Sequence, residues 1–460
     1  MSIKNKHFGP LHFYSEALRI AIPVMLQQLI MSLVSLIDNF MVAGLGDISM
    51  AAVNMSNHIM FIFIVLMNTS CAAGGIYLSQ FRGAENQEGM KHSYRFKAIM
   101  ALCGASLFMI LFWTIPELML QLMIAGNASQ DDIIFTGTGY LHLVSFTLVP
   151  MAISIAIGTS FREIGKPRVP LVISVCATVI NTFGNWILIY GNLGAPRLEV
   201  TGAAIATIIA RTFEATVFIV YVNKTKASFY CPFRLLRFIE LSLVWKILSK
   251  SMMIFISDFS WIASETVMLA MYNSRGGAET VAGMAAGWTI ANIFFLFFGG
   301  IWTASVVLVG GSLGADRLDE ARKRAKWIIS GSVLFGVILS VIGVFLTFLI
   351  VPLVYSNLSA EARSICMGLV FVILAYLPLW TLINAHFSIC RAGGDMLLGL
   401  YADGFVNCLI LIPGAIVLGR LTTIGPVAMF AVLKLTDVIK IFITNYFYKS
   451  ERWVKNLTVI

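Results

Sequence analysis

Apolar stretches long enough to cross a bilayer, about 20 residues each, recur along the whole chain with short polar interruptions. They fall near 16–42, 50–80, 96–118, 133–159, 169–190, 200–223, 244–272, 281–311, 327–355, 364–390, 396–419 and 423–447, which makes twelve. Twelve segments in 460 residues leave only short connections, so no large extramembrane domain fits. The pattern predicts an all-α integral membrane protein. The first segment is too long for a removable signal peptide and lacks a small-residue cleavage pattern, so it is expected to be the first membrane helix. Composition agrees, since 58% of residues are hydrophobic and 12% charged, against about 25% charged in soluble domains.

A shift of 231 residues lays the first half over the second, matching Gly46 with Gly277, Ala51 with Ala282 and Gly83-Ala84 with Gly314-Ala315. With a slightly different shift, Pro150 pairs with Pro378, and REIGK at 162–166 resembles RAGGD at 391–395. The expected organisation is an N-lobe over 1–223, a cytoplasmic linker over 224–243 and a C-lobe over 244–460. Six helices per half is an even number. The halves are therefore parallel repeats, two six-helix lobes related by a pseudo-twofold axis along the membrane normal. Rocking of such lobes gives alternating access, with Pro23, Pro150, Gly299, Gly300 and Pro378 as candidate bending points.

The net charge of +9 suggests nucleic acid until its distribution is considered. With the N-terminus inside, 25 of the 32 Lys and Arg fall in cytoplasmic connections and tails, four lie outside and three within spans. That asymmetry is the positive-inside bias, so both termini are expected in the cytoplasm and nucleic acid is not an expected partner. Seven scattered cysteines show no CxxC or Cys/His spacing, which argues against a disulfide framework or a zinc site. There is no GxxxxGK[ST] or HExxH sequence, so neither an ATP-driven pump nor a zinc-dependent membrane hydrolase is indicated. The chain is expected not to be an enzyme and to need no cofactor. Uphill transport would then draw on an ion gradient.

Six acidic residues sit within spans: Asp38, Glu214, Asp258, Glu265, Asp403 and Asp437. An intramembrane carboxylate costs about 3 kcal/mol on insertion scales, so each needs a partner or a purpose. Asp38, in LIDNFMVAGLG, has no Lys or Arg within reach on its own helix, and Gln27 lies nearly on the same face. Such a carboxylate takes a proton or a cation, or else hydrogen-bonds a neighbouring helix. Asn181 and Asn185 share one helical face and could supply ligands beside it, or serve as interhelical polar contacts. Tyr140 and Thr207 are weaker members of the set. In the second half, Asp258, Trp261 and Glu265 face one way, as if around a cavity that receives a cation. Arg211 with Glu214, and Lys434 with Asp437, stand at i,i+3 spacing and read as neutralised structural pairs. His386 is the one histidine singled out as a secondary candidate.

Asp38 in DNFMVAGLG, SQFRGAENQE after the second segment, the run from Pro150 to REIGKPRVP, Asn181 and IYGNLGAPRLEVTGAAIAT occur together in order. In this the chain resembles the multidrug and toxic compound extrusion (MATE) family of the MOP flippase superfamily, over nearly its whole length. The resemblance implies a V-shaped fold in the cell (inner) membrane that exports amphipathic, often cationic compounds in exchange for H+ or Na+. It also implies that Asp38 and Asn181 belong to the N-lobe ion site, where Na+ is a possible occupant. Family members often carry a second acid where this chain has Asn185, and site hydroxyls where it has Tyr140 and Thr207. Some branches place acids on helices seven and ten as a C-lobe sodium site. The tenth segment here has none, and Glu265 does not align cleanly with the helix-seven acid. The expected partners are a small amphipathic substrate and membrane lipid, with the protein acting as a monomer. The alternative on the same fold is a flippase or exporter of a lipid-linked or anionic metabolite. A channel would need a continuous polar pore, which the separate polar clusters do not form.

Overall fold

The structure, a computed structural model, describes residues 8–124, 130–232 and 241–459, and among these all regular structure is helical. The first six membrane helices are α1 (Leu11–Ala43), α2 (Asp47–Gly83), α3 (Gln87–Thr114), α4 (Gln130–Glu163), α5 (Arg168–Tyr190) and α6 (Glu199–Thr225). The second six are α7 (Leu241–Asn273), α8 (Ala278–Gly314), α9 (Leu318–Val354), α10 (Ala360–Ala392), α11 (Leu397–Leu421) and α12, the last made of Pro426–Lys434 and Thr436–Lys449. Among the described residues, eleven helices are long and apolar enough to cross a membrane; α12 is divided into two shorter pieces. The stripe Val341, Phe345, Phe348 and Leu349 on α9 is more than half exposed. An apolar face of that extent is stable against hydrocarbon rather than water.

The helix boundaries follow local chemistry. Asn86 accepts from Gly89 N at 2.9 Å to cap α3, and Ser359 accepts from Ala362 N at 3.1 Å to cap α10, which satisfies N–H groups that open a helix. Two expected segments are corrected. The segment expected over 96–118 stops at Thr114, because Pro116 opens a separate short helix, Pro116–Ile124, and a proline favours the first turn of a helix over its interior. The segment expected over 423–447 starts at Pro426 and is interrupted at Leu435.

Prolines inside helices displace the hydrogen bond to the carbonyl four residues earlier. Before Pro150 the backbone tightens into a 3-10 turn at Ser145–Thr147. Before Pro413 it widens into π-helical turns, Leu400–Phe405 and Asn407–Leu411. At Pro378 the helix continues, and the Leu374 carbonyl accepts the Ser340 hydroxyl from α9. In a bilayer no water would otherwise satisfy it.

The internal repeat extends to backbone geometry. Glu85 (φ 55°) and Asp316 (φ 58°) are left-handed at equivalent turns, and the next residues close them with Asn86 N to Phe81 O at 2.9 Å and Arg317 N to Ser312 O at 3.0 Å. The second pair of turns matches as well. Gly165 and Gly394 have φ of 76° and 80°, with Lys166 N to Phe161 O at 2.8 Å and Asp395 N to Cys390 O at 3.0 Å.

By packing, the chain divides into two compact units. One comprises Leu26–Arg82 and Asn86–Leu248; the other comprises Met1–Met25, Gly83–Glu85 and Ser249–Ile460. The start of α1 therefore groups with the second-half helices. Phe13 meets the Trp327 ring edge-on at 5.1 Å, and Tyr14 donates to the Trp327 carbonyl at 3.2 Å. Residues 233–240, within the expected 224–243 linker, lie outside the described residues.

Candidate functional site

In the first-half unit, α5 and α6 approach closely because small residues face each other. A Cβ added at Gly202 would lie 2.5 Å from the Leu188 carbonyl oxygen, and one at Gly184 would lie 3.1 Å from the Ala206 side chain. This contact brings Asn181 and Asn185 of α5 beside Thr207 of α6, with Asp38 of α1 in front of them. Asn185 donates to Asp38 Oδ1 at 3.0 Å. With its amide turned to suit both neighbours, Asn181 donates to Asp38 Oδ2 at 3.0 Å and accepts from Thr207 N and Oγ1 at 3.3 Å. In the opposite orientation its Nδ2 donates to Thr207 Oγ1 at 3.3 Å, and its oxygen faces the carboxyl. Tyr140 is buried within electrostatic reach of Asp38.

The groups that touch Asp38 are thus neutral amides. Arg211 acts on it only electrostatically and is itself bound to Glu214 at 2.9 Å. Among the described residues, two buried oxygens on α5, Asn185 Oδ1 and Thr182 Oγ1, have no hydrogen-bond partner. A carboxylate with the uncommitted Asn185 oxygen beside it has the chemistry for a proton or a monovalent hard cation.

Gln27 does not join this group. Its amide is engaged elsewhere, donating to Ser174 at 2.9 Å and accepting from Arg162 at 3.0 Å. Ser174 in turn donates to Glu214 at 2.7 Å, so Arg162, Gln27, Ser174, Glu214 and Arg211 form one chain across α4, α1, α5 and α6, buried at its centre and partly exposed at both arginines. Eleven residues of helix separate Gln27 from Asp38 by about 16 Å, which is why a shared face does not bring them together.

Sequence reasoning did not single out Lys97 or Arg162. The structure places both inside helices, with Lys97 fully buried and bonded to Glu163 at 2.6 Å and Ser160 at 2.9 Å. The signal was available in the length of α3, whose polar first turns belong to the same helix as its apolar run.

In the second-half unit, the expected cation-receiving cavity around Asp258, Trp261 and Glu265 is corrected. Each carboxylate holds a base from another helix: Asp258 pairs with Arg391 at 3.3 Å and Glu265 with Lys434 at 2.7 Å, while Trp261 is half exposed. The expected Lys434–Asp437 pair is corrected with it. The helix is interrupted at Leu435 between them, and Lys434 reaches α7. Asp437 accepts from Trp380 Nε1 at 2.7 Å and lies 3.7 Å from Lys440, which also meets Asp403 at 3.1 Å. His386 is buried away from these acids, against Thr444 at 3.2 Å and stacked on Tyr448.

The family model for MatE matches the chain twice, over residues 23–187 and again over 253–417. A probable multidrug resistance protein NorM from Halalkalibacterium halodurans is 24% identical over 77% of this chain and 76% of that protein. Its namesake from Neisseria meningitidis is 25% identical over 71% of this chain and 69% of that protein. Among solved structures, a mutant of the Vibrio cholerae MATE transporter VcmN superposes with a TM-score of 0.85 at 16% identity, covering 96% of this chain and 99% of that one. With one copy of the family's repeat in each half and the same all-helical fold, this chain is a multi-pass membrane protein that belongs to the MatE family.

Proposed function

We propose that this protein is a secondary antiporter of the cell membrane that exports amphipathic organic cations in exchange for H+ or Na+ bound at Asp38. The observation that carries the reading is the environment of Asp38, whose direct partners are amides rather than a base. A carboxylate neutralised by a fixed salt bridge has no need of a mobile ion, whereas one held by amides can take and release it. The relatives' names, which describe multidrug resistance proteins, support the drug-like substrate class. The charge asymmetry of the connections supports cytoplasmic termini, and the chain acts as a monomer.

The Asn181 amide fits both states of the carboxyl. When Asp38 is ionised, Nδ2 of Asn181 donates to it and Oδ1 accepts from Thr207. When Asp38 is protonated, the amide turns over, accepts the carboxyl proton and donates to Thr207. Loading Asp38 therefore rearranges contacts among α1, α5 and α6, and this rearrangement couples the ion to substrate release. The test is efflux of ethidium from energised vesicles under separate proton and sodium gradients, comparing wild type with Asp38→Asn. Efflux driven by one gradient and lost in the variant is expected. Gradient-dependent efflux that survives in Asp38→Asn would sink the reading.

A further inference from the structure

The chain does not leave the first-half unit when α6 ends. Lys226 turns left-handed (φ 43°), and the residues after it fold back onto α3 and α4. Phe229 is fully buried, its ring edge-on to Phe161 at 5.1 Å and tilted against Tyr94 at 5.2 Å. Two residues on, the Cys231 sulfur accepts from Arg95 Nε at 3.2 Å. Held at these two points, the returning segment closes one end of a cavity of about 120 Å³ between α3, α4 and α6. The cavity has a direction. Tyr94, Asn223 and Tyr230 stand at the end where α6 finishes. From there Ala98 and Leu102 follow Tyr94 in four-residue steps along α3, so the lining runs about 12 Å deeper. The deep part is apolar, with Ile153 of α4 and Ile219 of α6. Ile219 is 41% exposed, so the cavity opens along α6, a helix apolar enough to span a membrane.

We infer that this cavity holds one acyl chain of an anionic phospholipid, whose headgroup sits at Tyr94, Asn223 and Tyr230 beside the lysines that end α6. Apolar cavities of about this size stay dry and take hydrocarbon ligands. Charge at the polar end selects the headgroup. Lys224 and Lys226 follow Asn223 and are exposed, and Lys91 and Arg95 lie within one turn of Tyr94 on α3. The acid among them, Glu88, is already paired with Lys91 at 2.6 Å. Basic clusters at a membrane surface attract anionic lipid. The site needs only that the chain spans a membrane, and neither Asp38 nor an exported substrate takes part in it. A bound acyl chain joins α3, α4, α6 and the returning segment through one apolar contact.

The experiment measures lipid bound to the purified full-length protein by native mass spectrometry, with phosphatidylglycerol and phosphatidylcholine of identical chains as probes. Wild type is expected to keep one phosphatidylglycerol, held about tenfold more tightly than phosphatidylcholine. Ala98→Leu, whose larger side chain occupies the cavity, is expected to lose that adduct. Lys224→Gln/Lys226→Gln is expected to keep a bound lipid and lose the preference for the anionic headgroup. Undiminished phosphatidylglycerol in Ala98→Leu, equal retention of the two lipids by wild type, or a preference that survives the lysine substitutions overturns the inference. If Ala98→Leu gives no monodisperse protein, wild type is photolabelled with a phosphatidylglycerol carrying a diazirine on its acyl chain. Labels at Leu102, Ile153 and Ile219 then support the site, and labels confined to other positions overturn it. Displacement of the retained lipid by ethidium assigns the cavity to substrate and likewise overturns the inference.

Discussion

Asn185 gives its amide hydrogen to Asp38 at 3.0 Å while its own carbonyl oxygen is buried without a partner. One residue therefore both holds the carboxylate and offers an oxygen beside it. Replacing it by leucine removes both functions while keeping the same number and branching of side-chain heavy atoms. Asn185→Leu is expected to reduce apparent affinity for the coupling ion by about 10- to 100-fold, as losses of supporting ligands commonly do. Initial efflux rates measured against external Na+ and against pH check this, and an unchanged ion dependence would contradict it.

The close approach of α5 and α6 at Gly202 makes a separate prediction. A side chain there meets the Leu188 carbonyl, so Gly202→Val must push α6 away and carry Thr207 off Asn181. Helical content by circular dichroism should be kept while gradient-driven efflux is lost. Retention of wild-type efflux would show that the Asn181–Thr207 contact does not matter.

Lys97 is fully buried against Glu163. Removing one member of such a pair leaves an uncompensated charge and costs about 3–5 kcal/mol. Lys97→Met alone is therefore expected to lower the thermal unfolding midpoint sharply. The double variant Lys97→Met/Glu163→Gln should recover most of the loss.

Pro378 leaves the Leu374 carbonyl to Ser340. Ser340→Ala is expected to cost about 1–3 kcal/mol, the penalty of an unsatisfied buried acceptor. In a Pro378→Ala background the restored backbone N–H takes that carbonyl, and the same change should cost much less. Equal losses in the two backgrounds would refute the account.

Much of this was legible along the chain, and the limits have a physical cause. Apolar run length places the membrane segments because a bilayer has a fixed thickness, and the repeat register anticipates the matching turns at Glu85 and Asp316. The grouping of Asp38 with Asn181 and Asn185 was legible from their rarity and from the four-residue spacing of the two amides. Partner choice among charges was not. Spacing along one helix found Arg211 with Glu214, but it assigned Lys434 to Asp437 when a long flexible side chain could reach a carboxylate on α7. Contacts between helices distant in sequence leave no periodic trace. Gln27 failed for a related reason, since periodicity gives direction around a helix and says nothing about separation along it.

The charges of α12 bear on how the protein is made. Lys434, Asp437 and Lys440 all belong to the two pieces of α12, and each resists entry into the hydrocarbon by about 2.5–3.5 kcal/mol. Their counter-charges Glu265 and Asp403 are on α7 and α11, which emerge from the ribosome earlier. Translocon partitioning of α12 in isolation should therefore fail, and biogenesis must retain the earlier helices nearby until this one arrives to join them.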